Sequence, residues 1–197
     1  MSWLNIVWAN RSDWTDRQKE DYYATDPRAI SDLAKFVDIR WIVWENACWE
    51  WNLSKELEKL PNVIDVIKSD KIHRWTGMVL DFMNWEWKLN FSLKKDEVIN
   101  NCDWIITNPP YKYWKKWIQK SLEYTPNVAV MMKLVFLESA DRYEFFKKSG
   151  LKKVLVYSKR LWVYKDNMKT KNSWLVAYAW FVFERWYKWE PIIDWIL

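Results

Sequence analysis

The chain has 197 residues, enough for one α/β domain with a core of ordinary size. Its two cysteines, Cys48 and Cys102, lack metal or disulfide spacing, and the single histidine, His73, excludes a histidine-based zinc site, so we expect a reduced cytoplasmic protein without metal. No stretch approaches the roughly 18 apolar residues of a membrane span, and the N-terminus lacks a signal-peptide pattern, so we expect a soluble protein without a membrane partner.

The net charge of +5 is unevenly distributed along the chain. Residues 1–100 carry 14 Lys and Arg against 17 Asp and Glu, whereas residues 101–197 carry 17 against 9. This asymmetry favours a polyanion such as nucleic acid approaching the C-terminal half. A solvated lysine-rich surface would give the same pattern, so charge alone does not decide between the two interpretations.

Tryptophan and glycine occur in unusual numbers, 19 Trp and 2 Gly, although the usual glycine share of about 7% would give roughly 14 Gly. Several tryptophans lie where turn chemistry calls for glycine, namely Trp8, Trp14, Trp49, Trp51, Trp75, Trp85, Trp87, Trp186 and Trp189. Others lie in apolar, strand-like runs, namely Trp44, Trp104, Trp180 and Trp195. One hypothesis is that a codon read here as Trp is read as Gly by the organism that encodes the chain. The alternative is a truly Trp-rich protein.

The N-terminal region divides into an irregular arm, predicted over residues 1–20, and the start of a single domain, predicted over residues 21–197. A helix is predicted to begin near Pro27, because Thr25 or Asp26 can cap it and proline fits the first turn. Apolar residues then recur at helical spacing at Ile30, Leu33, Phe36 and Val37.

The first βα unit is predicted over residues 41–60, as a short apolar strand, a turn of small residues and a helix. A second strand is predicted over residues 62–70 and ends at Asp70, roughly 20 residues after that turn. An acidic residue at this place can accept both ribose hydroxyls of a nucleoside cofactor, by the logic of dinucleotide-binding folds.

The most informative stretch is residues 103–111, in which an apolar strand runs into Asn108, Pro109, Pro110 and Tyr111. Strand ends are where open α/β sheets place their chemistry. The prolines have no N–H and a fixed φ, so the carbonyls of Asn108 and Pro109 are predicted to point out of the sheet, beside an amide and an aromatic ring. Such acceptors suit a planar base with an exocyclic amino group, which Tyr111 can cover by stacking.

The remaining sequence predicts further α/β units. An amphipathic helix is predicted over residues 112–124, a buried strand over 127–136, and a helix that ends at Gly150. Strands follow at residues 152–159 and 174–184, the second interpreted as a hairpin strand at a sheet edge because it is long and aromatic. Basic side chains of the helix and of the loop between these strands are predicted to contact nucleic-acid phosphates, and they are Lys112, Lys115, Lys116, Lys159, Arg160, Lys165, Lys169 and Lys171.

Asn-Pro-Pro-Tyr after an apolar strand resembles the catalytic motif of S-adenosylmethionine-dependent amino-methyltransferases, most closely the small phage-type DNA adenine-N6 methyltransferases. Four segments of residues 21–195 follow the order of that family. The resemblance implies a class I methyltransferase fold, which is a Rossmann-like three-layer α/β sandwich. Its mostly parallel sheet has seven strands, and the antiparallel strand lies near the C-terminus.

The same resemblance implies a set of residues around S-adenosylmethionine. The family places a Tyr-rich segment near the methionine end of the cofactor, an acidic-Pro-Ala-Cys-Gly-acidic-Gly turn at its amino-acid moiety, and an acidic-aromatic pair at its adenine. The matching residues here, with Asp70 at the ribose, are Tyr22, Tyr23, Thr25, Glu45, Ala47, Cys48, Trp49, Asp70, Asp81 and Phe82. The chain departs from the pattern at Asn46, in the proline position, and at Trp49 and Trp51, in the two glycine positions.

The resulting hypothesis is direct in-line transfer of a methyl group to adenine N6 in DNA, by a monomer or weak dimer. Alternatives are another planar amino group, such as cytosine N4, an RNA base or a protein glutamine, and a non-catalytic nucleic-acid-binding relic. Two indoles in the cofactor turn would favour the relic if they are real.

Overall fold

The computed structural model describes residues 24–49, 51–72, 77–84, 101–161, 163–165, 168–169 and 176–197. The predicted arm, Tyr22 and Tyr23 therefore lie outside the described residues, as do Trp75 and Lys171.

Eleven strands and four α-helices occur in the described part of the chain. The strands are β1 (Ala24–Thr25), β2 (Trp41–Glu45), β3 (Val63–Asp70), β4 (Met78–Val79), β5 (Trp104–Thr107), β6 (Asn127–Lys133), β7 (Leu151–Tyr157), β8 (Val163–Lys165), β9 (Met168–Lys169), β10 (Tyr178–Glu184) and β11 (Ile192–Ile196). The helices are α1 (Arg28–Leu33), α2 (Asn52–Leu57), α3 (Trp114–Tyr124) and α4 (Ala140–Lys148), with 3₁₀ turns at Tyr111–Tyr113 and Leu134–Leu137.

Eight strands form the main sheet, in the order β11-β7-β10-β6-β5-β2-β3-β4. All neighbouring pairs are parallel except those of β10, which runs antiparallel to both β6 and β7. A separate small sheet has the order β1-β8-β9 and is antiparallel throughout. The chain thus carries a mixed sheet whose parallel strands all end at one edge.

Two apolar layers cover the faces of the main sheet. Alternate residues of β5 serve opposite faces, because side chains of a strand point alternately to its two sides. Trp104 and Ile106 pack with α1 and α2, whereas Ile105 packs with α3. The result is the predicted three-layer sandwich.

The fold prediction is confirmed, with two differences in the sheet. The sheet has eight strands instead of seven, because β11 pairs in parallel with β7 and forms the edge. The antiparallel strand was expected at an edge, but β10 lies inside the sheet, paired on both sides. An aromatic run looks alike at either place, and the sequence gives no sign of the later pairing of β11.

Candidate active site

The carboxyl ends of the parallel strands bring the predicted site residues to one edge of the main sheet. Glu45 ends β2, Asp70 ends β3, and Asn108 follows the last residue of β5. Asp81 lies two residues after β4, at the same edge. This carboxyl edge is where open α/β sheets bind ligands.

Asn108 meets a residue from a distant part of the chain. Its Nδ2 donates a hydrogen bond to Oγ1 of Thr25, at 3.2 Å. β1 carries Thr25 and pairs with β8, so the small sheet lies against the carboxyl edge beside the motif. The predicted catalytic amide and a residue predicted at the cofactor are thus in contact.

The other motif residues form a compact corner. Pro109 is buried and Pro110 is half-buried, and Pro110 precedes the 3₁₀ turn that begins at Tyr111. The Tyr111 ring lies 5.5 Å from the ring of Phe136 and has the Nζ of Lys133 at 5.5 Å from its centroid. A half-buried aromatic ring at this place can stack on a planar group.

The turn after β2 is held against the end of β3 by its own backbone. The N–H of Cys48 donates to the carbonyl of Ser69 at 3.0 Å, and the N–H of Trp49 donates to Oδ2 of Asp70 at 3.0 Å. Asp70 Oδ1 accepts the N–H of Ile72 at 3.1 Å. The carboxylate predicted for a ribose therefore borders the turn predicted for the amino-acid moiety.

Glu45 is buried at the end of β2, where it accepts a hydrogen bond from the hydroxyl of Ser54 in α2. Burial raises the pKa of Glu45 to about 8, against the opposing effect of the Ser54 hydrogen bond. The side chain is therefore mostly protonated at neutral pH, and the carboxyl group ties β2 to α2. The sequence predicted its place at the site but not its protonation or its partner Ser54.

Ala47 and Cys48 complete this turn. Cys48 is buried, and burial, together with nearby Glu45 and Asp70, raises the pKa of its thiol to about 12. A neutral buried thiol is a poor nucleophile. This agrees with the predicted mechanism, which needs no cysteine nucleophile.

Asp81 forms an ion pair with Lys71 at 3.0 Å and accepts a hydrogen bond from Nδ2 of Asn84 at 2.9 Å. Burial acts to raise the pKa of Asp81, but the bonds from Lys71 and Asn84 outweigh it and keep that pKa below its usual range. The carboxylate is thus ionised and can accept from an amino group at the edge.

Phe82 lies in the core, 1% exposed. Its ring contacts Trp44 edge-on at 5.4 Å and Trp117 at a tilt, at 4.7 Å. Packing within the protein accounts for this position, and stacking on an adenine ring stays a prediction.

Asn46 also has a role that the sequence did not reveal. Its Oδ1 accepts the indole N–H of Trp117 at 3.0 Å, while its Nδ2 is buried and has no acceptor among the described residues. An amide in the family's proline position thus joins the turn after β2 to α3.

The predicted basic residues differ in exposure and in pairing. Lys112, Lys116, Lys159 and Arg160 are exposed, whereas Lys115 forms an ion pair with Asp141 of α4. Lys165 lies in β8 and Lys169 in β9, next to the strand that carries Thr25.

In the turn after β2, Trp49 and Trp51 have backbone conformations that favour glycine. Trp49 has φ 38° and Trp51 has φ 62°, in the left-handed region that favours glycine. The Nε1 of Trp51 is buried, with no acceptor among the described residues. Asp70 and Asp81 suit a nucleoside, but two indoles branch from the segment predicted to lie against the rest of the cofactor.

A cavity of about 410 Å³ lies at the opposite, amino edge of the sheet, lined in part by Trp41, Asp103 and Asn127. Charged side chains around it pair within the protein, Lys152 with Glu184 and Arg40 with Asp38. It does not coincide with the predicted site.

Within the described ranges, no helix is long and apolar enough to cross a membrane. The same ranges contain no group of three or more His, Cys, Asp or Glu side chains placed to hold a metal ion.

The sheet order, the single antiparallel strand and the two helical layers define the class I methyltransferase fold, of the Rossmann-like type. No protein-family model matches the sequence. A search of curated proteins also finds no match.

Two solved structures share this fold. A candidate RNA methyltransferase from Pyrococcus horikoshii is 14% identical, with a TM-score of 0.58 over 91% of this chain and 95% of that one. A dimethyladenosine transferase from Plasmodium falciparum is 14% identical, with a TM-score of 0.52 over 83% of this chain and 63% of that one. At this identity the likeness concerns the fold.

Proposed function

We propose that the protein is a methyltransferase that uses S-adenosylmethionine to methylate the exocyclic amino group of a planar base. One observation carries the proposal. The Asn108–Tyr111 motif lies at the carboxyl end of β5, at the same sheet edge as the Asp70 turn, and it contacts Thr25. S-adenosylmethionine would supply an electrophilic methyl group, with Asp70 at its ribose and Asp81 at its adenine.

Asn108 and Pro109 act on the substrate amine. Thr25 accepts a hydrogen bond from Nδ2 of Asn108, which orients the amide and makes Oδ1 the acceptor for an amine proton. The Pro109 carbonyl is the second acceptor. An exocyclic amine is a poor nucleophile because its lone pair is delocalised into the ring. Pre-placed acceptors favour the pyramidal nitrogen of the transition state and receive the charge that develops on its protons.

Tyr111 positions the base. Its ring contacts Phe136 and Lys133, and stacking on a base is worth about 1–3 kcal/mol. A base inside a duplex must be turned out of the stack to reach such a plate. Stacking and orientation supply much of the remaining rate enhancement.

We propose adenine N6 in DNA as the substrate. Support comes from the resemblance of Asn-Pro-Pro-Tyr to the phage-type enzymes, and from exposed Lys112, Lys116, Lys159 and Arg160, which can contact phosphates. An adenine in RNA is the second candidate, because one of the two solved structures is described as a dimethyladenosine transferase and the other as a candidate RNA methyltransferase.

Asn108→Ala tests the proposed function. DNA and RNA duplexes are incubated with labelled S-adenosylmethionine and either the chain as written or its Trp49→Gly/Trp51→Gly variant, and the nucleosides are identified by mass spectrometry. We expect N6-methyladenine from DNA, and a loss of about 100-fold or more in Asn108→Ala, by comparison with the loss of one oxyanion-hole donor.

The matched control is Asn127→Ala, which removes an amide at the amino edge that donates to the Asp103 carbonyl at 3.1 Å. The Asn127→Ala variant should keep the activity of the parent. Turnover retained by Asn108→Ala would refute the assigned role, and a product in RNA alone would move the substrate to the second candidate.

A further inference from the structure

Five described residues other than glycine have a positive φ, and four of them are tryptophans. They are Trp41 (φ 63°), Trp49 (φ 38°), Trp51 (φ 62°) and Trp186 (φ 69°), and the fifth is Ser139. A bulky side chain in this region is a true outlier, whereas glycine enters it at no steric cost. The coincidence of one residue type with one rare conformation requires an explanation.

Trp186 occupies a turn position that requires glycine. The N–H of Tyr187 donates to the carbonyl of Glu184 at 3.0 Å, which closes a four-residue turn with Trp186 third. Trp186 has the positive φ and Arg185 does not, and this is the pattern of a type II turn, whose third residue is usually Gly. The indole itself is 79% exposed, so packing does not force it there.

Trp41, the first residue of β2, also has a positive φ. The pairing of β2 with β3 shifts register between Trp41 and Ile42. Trp41 thus has its left-handed φ where the pairing of β2 with β3 is irregular, in a conformation that glycine enters without steric cost. Trp41 is 51% exposed, so little packing holds this indole either.

Trp49 and Trp51 adopt the left-handed region within a single turn. The N–H of Trp51 donates to the Cys48 carbonyl at 2.6 Å, and Trp51 then precedes the first residue of α2 with φ 62° and ψ 24°. The backbone of Trp49 is bonded to Asp70. The turn therefore holds its shape around the carboxylate while carrying two side chains that its backbone does not suit.

Other tryptophans of the described chain are ordinary core residues. Trp44 and Trp180 are fully buried and have negative φ values. Both donate from Nε1, Trp44 to the Ser69 hydroxyl at 2.8 Å and Trp180 to the Ala29 carbonyl at 3.0 Å. Trp44 and Trp180 therefore differ from the four positive-φ tryptophans: the fold uses their indoles, whereas the backbone opposes a side chain at the other four positions.

We propose that positions 41, 49, 51 and 186 are glycines in the functional protein, and that glycine at positions 49 and 51 forms an open cradle beside Asp70 for the amino-acid part of S-adenosylmethionine. A codon that the organism reads as glycine gives these tryptophans in the chain as written. The assignment of the cradle to the cofactor rests on the proposed function, whereas the assignment of glycine at the four positions rests on their positive φ values alone. Trp189, included on composition, is not among the positive-φ residues.

Thermal unfolding tests the assignment of glycine at the positive-φ positions. Trp186→Gly should raise the melting temperature by about 2–4 °C, because relief of left-handed strain is worth about 1 kcal/mol or slightly more in a protein of this size. Trp189→Gly is the matched control, since Trp189 is 74% exposed, three residues away, and has no positive φ. We expect no rise for it, and a large fall for Trp180→Gly. Equal effects of Trp186→Gly and Trp189→Gly would overturn the proposal.

Calorimetry with S-adenosylmethionine tests the cradle. The Trp49→Gly/Trp51→Gly variant should bind at least tenfold more tightly than the chain as written. Trp49→Ala/Trp51→Ala should bind less well than the glycine pair, because it removes the indoles but keeps a Cβ at positive φ. Adding Asp70→Ala to the glycine pair should remove the gain.

The two measurements separate the two ideas. A stabilised Trp186→Gly together with a glycine pair that does not bind would keep the glycine assignment and refute the cofactor site. The coding DNA gives an independent test. If codons 41, 49, 51 and 186 are the same as codons 44 and 180, the glycine assignment is wrong.

Discussion

At the scale of single residues, Glu45 links the site to the pH dependence of stability. Its pKa rises from an ordinary 4.5 to about 8, chiefly because the carboxyl group is buried. Between these two pH values the folded chain holds a proton that the unfolded chain releases. The contribution of Glu45 to the free energy of unfolding is therefore fully present below pH 4.5 and is lost as the pH rises to 8. The loss amounts to about 1.4 kcal/mol per pH unit.

Glu45→Gln should remove this dependence. Glutamine keeps a hydrogen-bonding partner for Ser54 but does not ionise. The free energy of unfolding of the variant should therefore rise relative to that of the parent between pH 5 and 8, by a few kcal/mol at pH 8, on the order given by the pKa shift. Urea unfolding at several pH values measures the difference. Glu56→Gln is the control, because Glu56 lies on α2 with Ser54 but is partly exposed. Parallel curves for Glu45→Gln and the parent would contradict the assigned pKa.

At the scale of elements, β1 contacts the proposed catalytic amide from outside the main sheet. The 3.2 Å bond from Asn108 to Thr25 joins the small sheet to the end of β5. A single hydrogen bond contributes about 1 kcal/mol, so Thr25→Val should lower the rate of methyl transfer roughly five- to tenfold. Cofactor affinity should change less than the rate.

Thr25→Ser is the control for Thr25→Val, because serine keeps the hydroxyl group that valine lacks. Recovery of the rate in Thr25→Ser would tie the loss to the bond, and a loss shared equally by both variants would point instead to a disturbed strand. Single-turnover rates and separate binding measurements distinguish an effect on the amide from one on the cofactor.

Trp180 connects α1 to the sheet. Its indole donates to the Ala29 carbonyl at 3.0 Å and to the Tyr157 hydroxyl at 3.2 Å, within the core. Trp180→Phe removes the donor and some volume, so it should destabilise the fold by about 2–4 kcal/mol. Denaturant unfolding measures this. Tyr157→Phe leaves the bond to Ala29 in place and should cost less.

At the scale of the whole molecule, the sequence predicted the layers and the edge that carries the site. Apolar periodicity located the main helices and most strands, and the strand–Asn-Pro-Pro-Tyr junction predicted the place of Asn108. Contacts between distant segments were not predictable in the same way. The hydrogen bond from Asn108 to Thr25 spans 83 positions, and the protonation of Glu45 depends on burial that only the assembled fold creates. Trp41 was missed because it reads as the first residue of a strand.

The central position of β10 has a consequence for synthesis. Among the described strands of the main sheet, β7 and β11 join the other five only through β10, which comes after both β6 and β7 in the chain. Until β10 has left the ribosome, β6 has an open hydrogen-bonding edge, and β7 lacks both of its neighbouring strands. Exposed edges of this kind invite pairing between chains. A chaperone that shields nascent chains would therefore be needed most between the emergence of β6 and that of β10 from the ribosome.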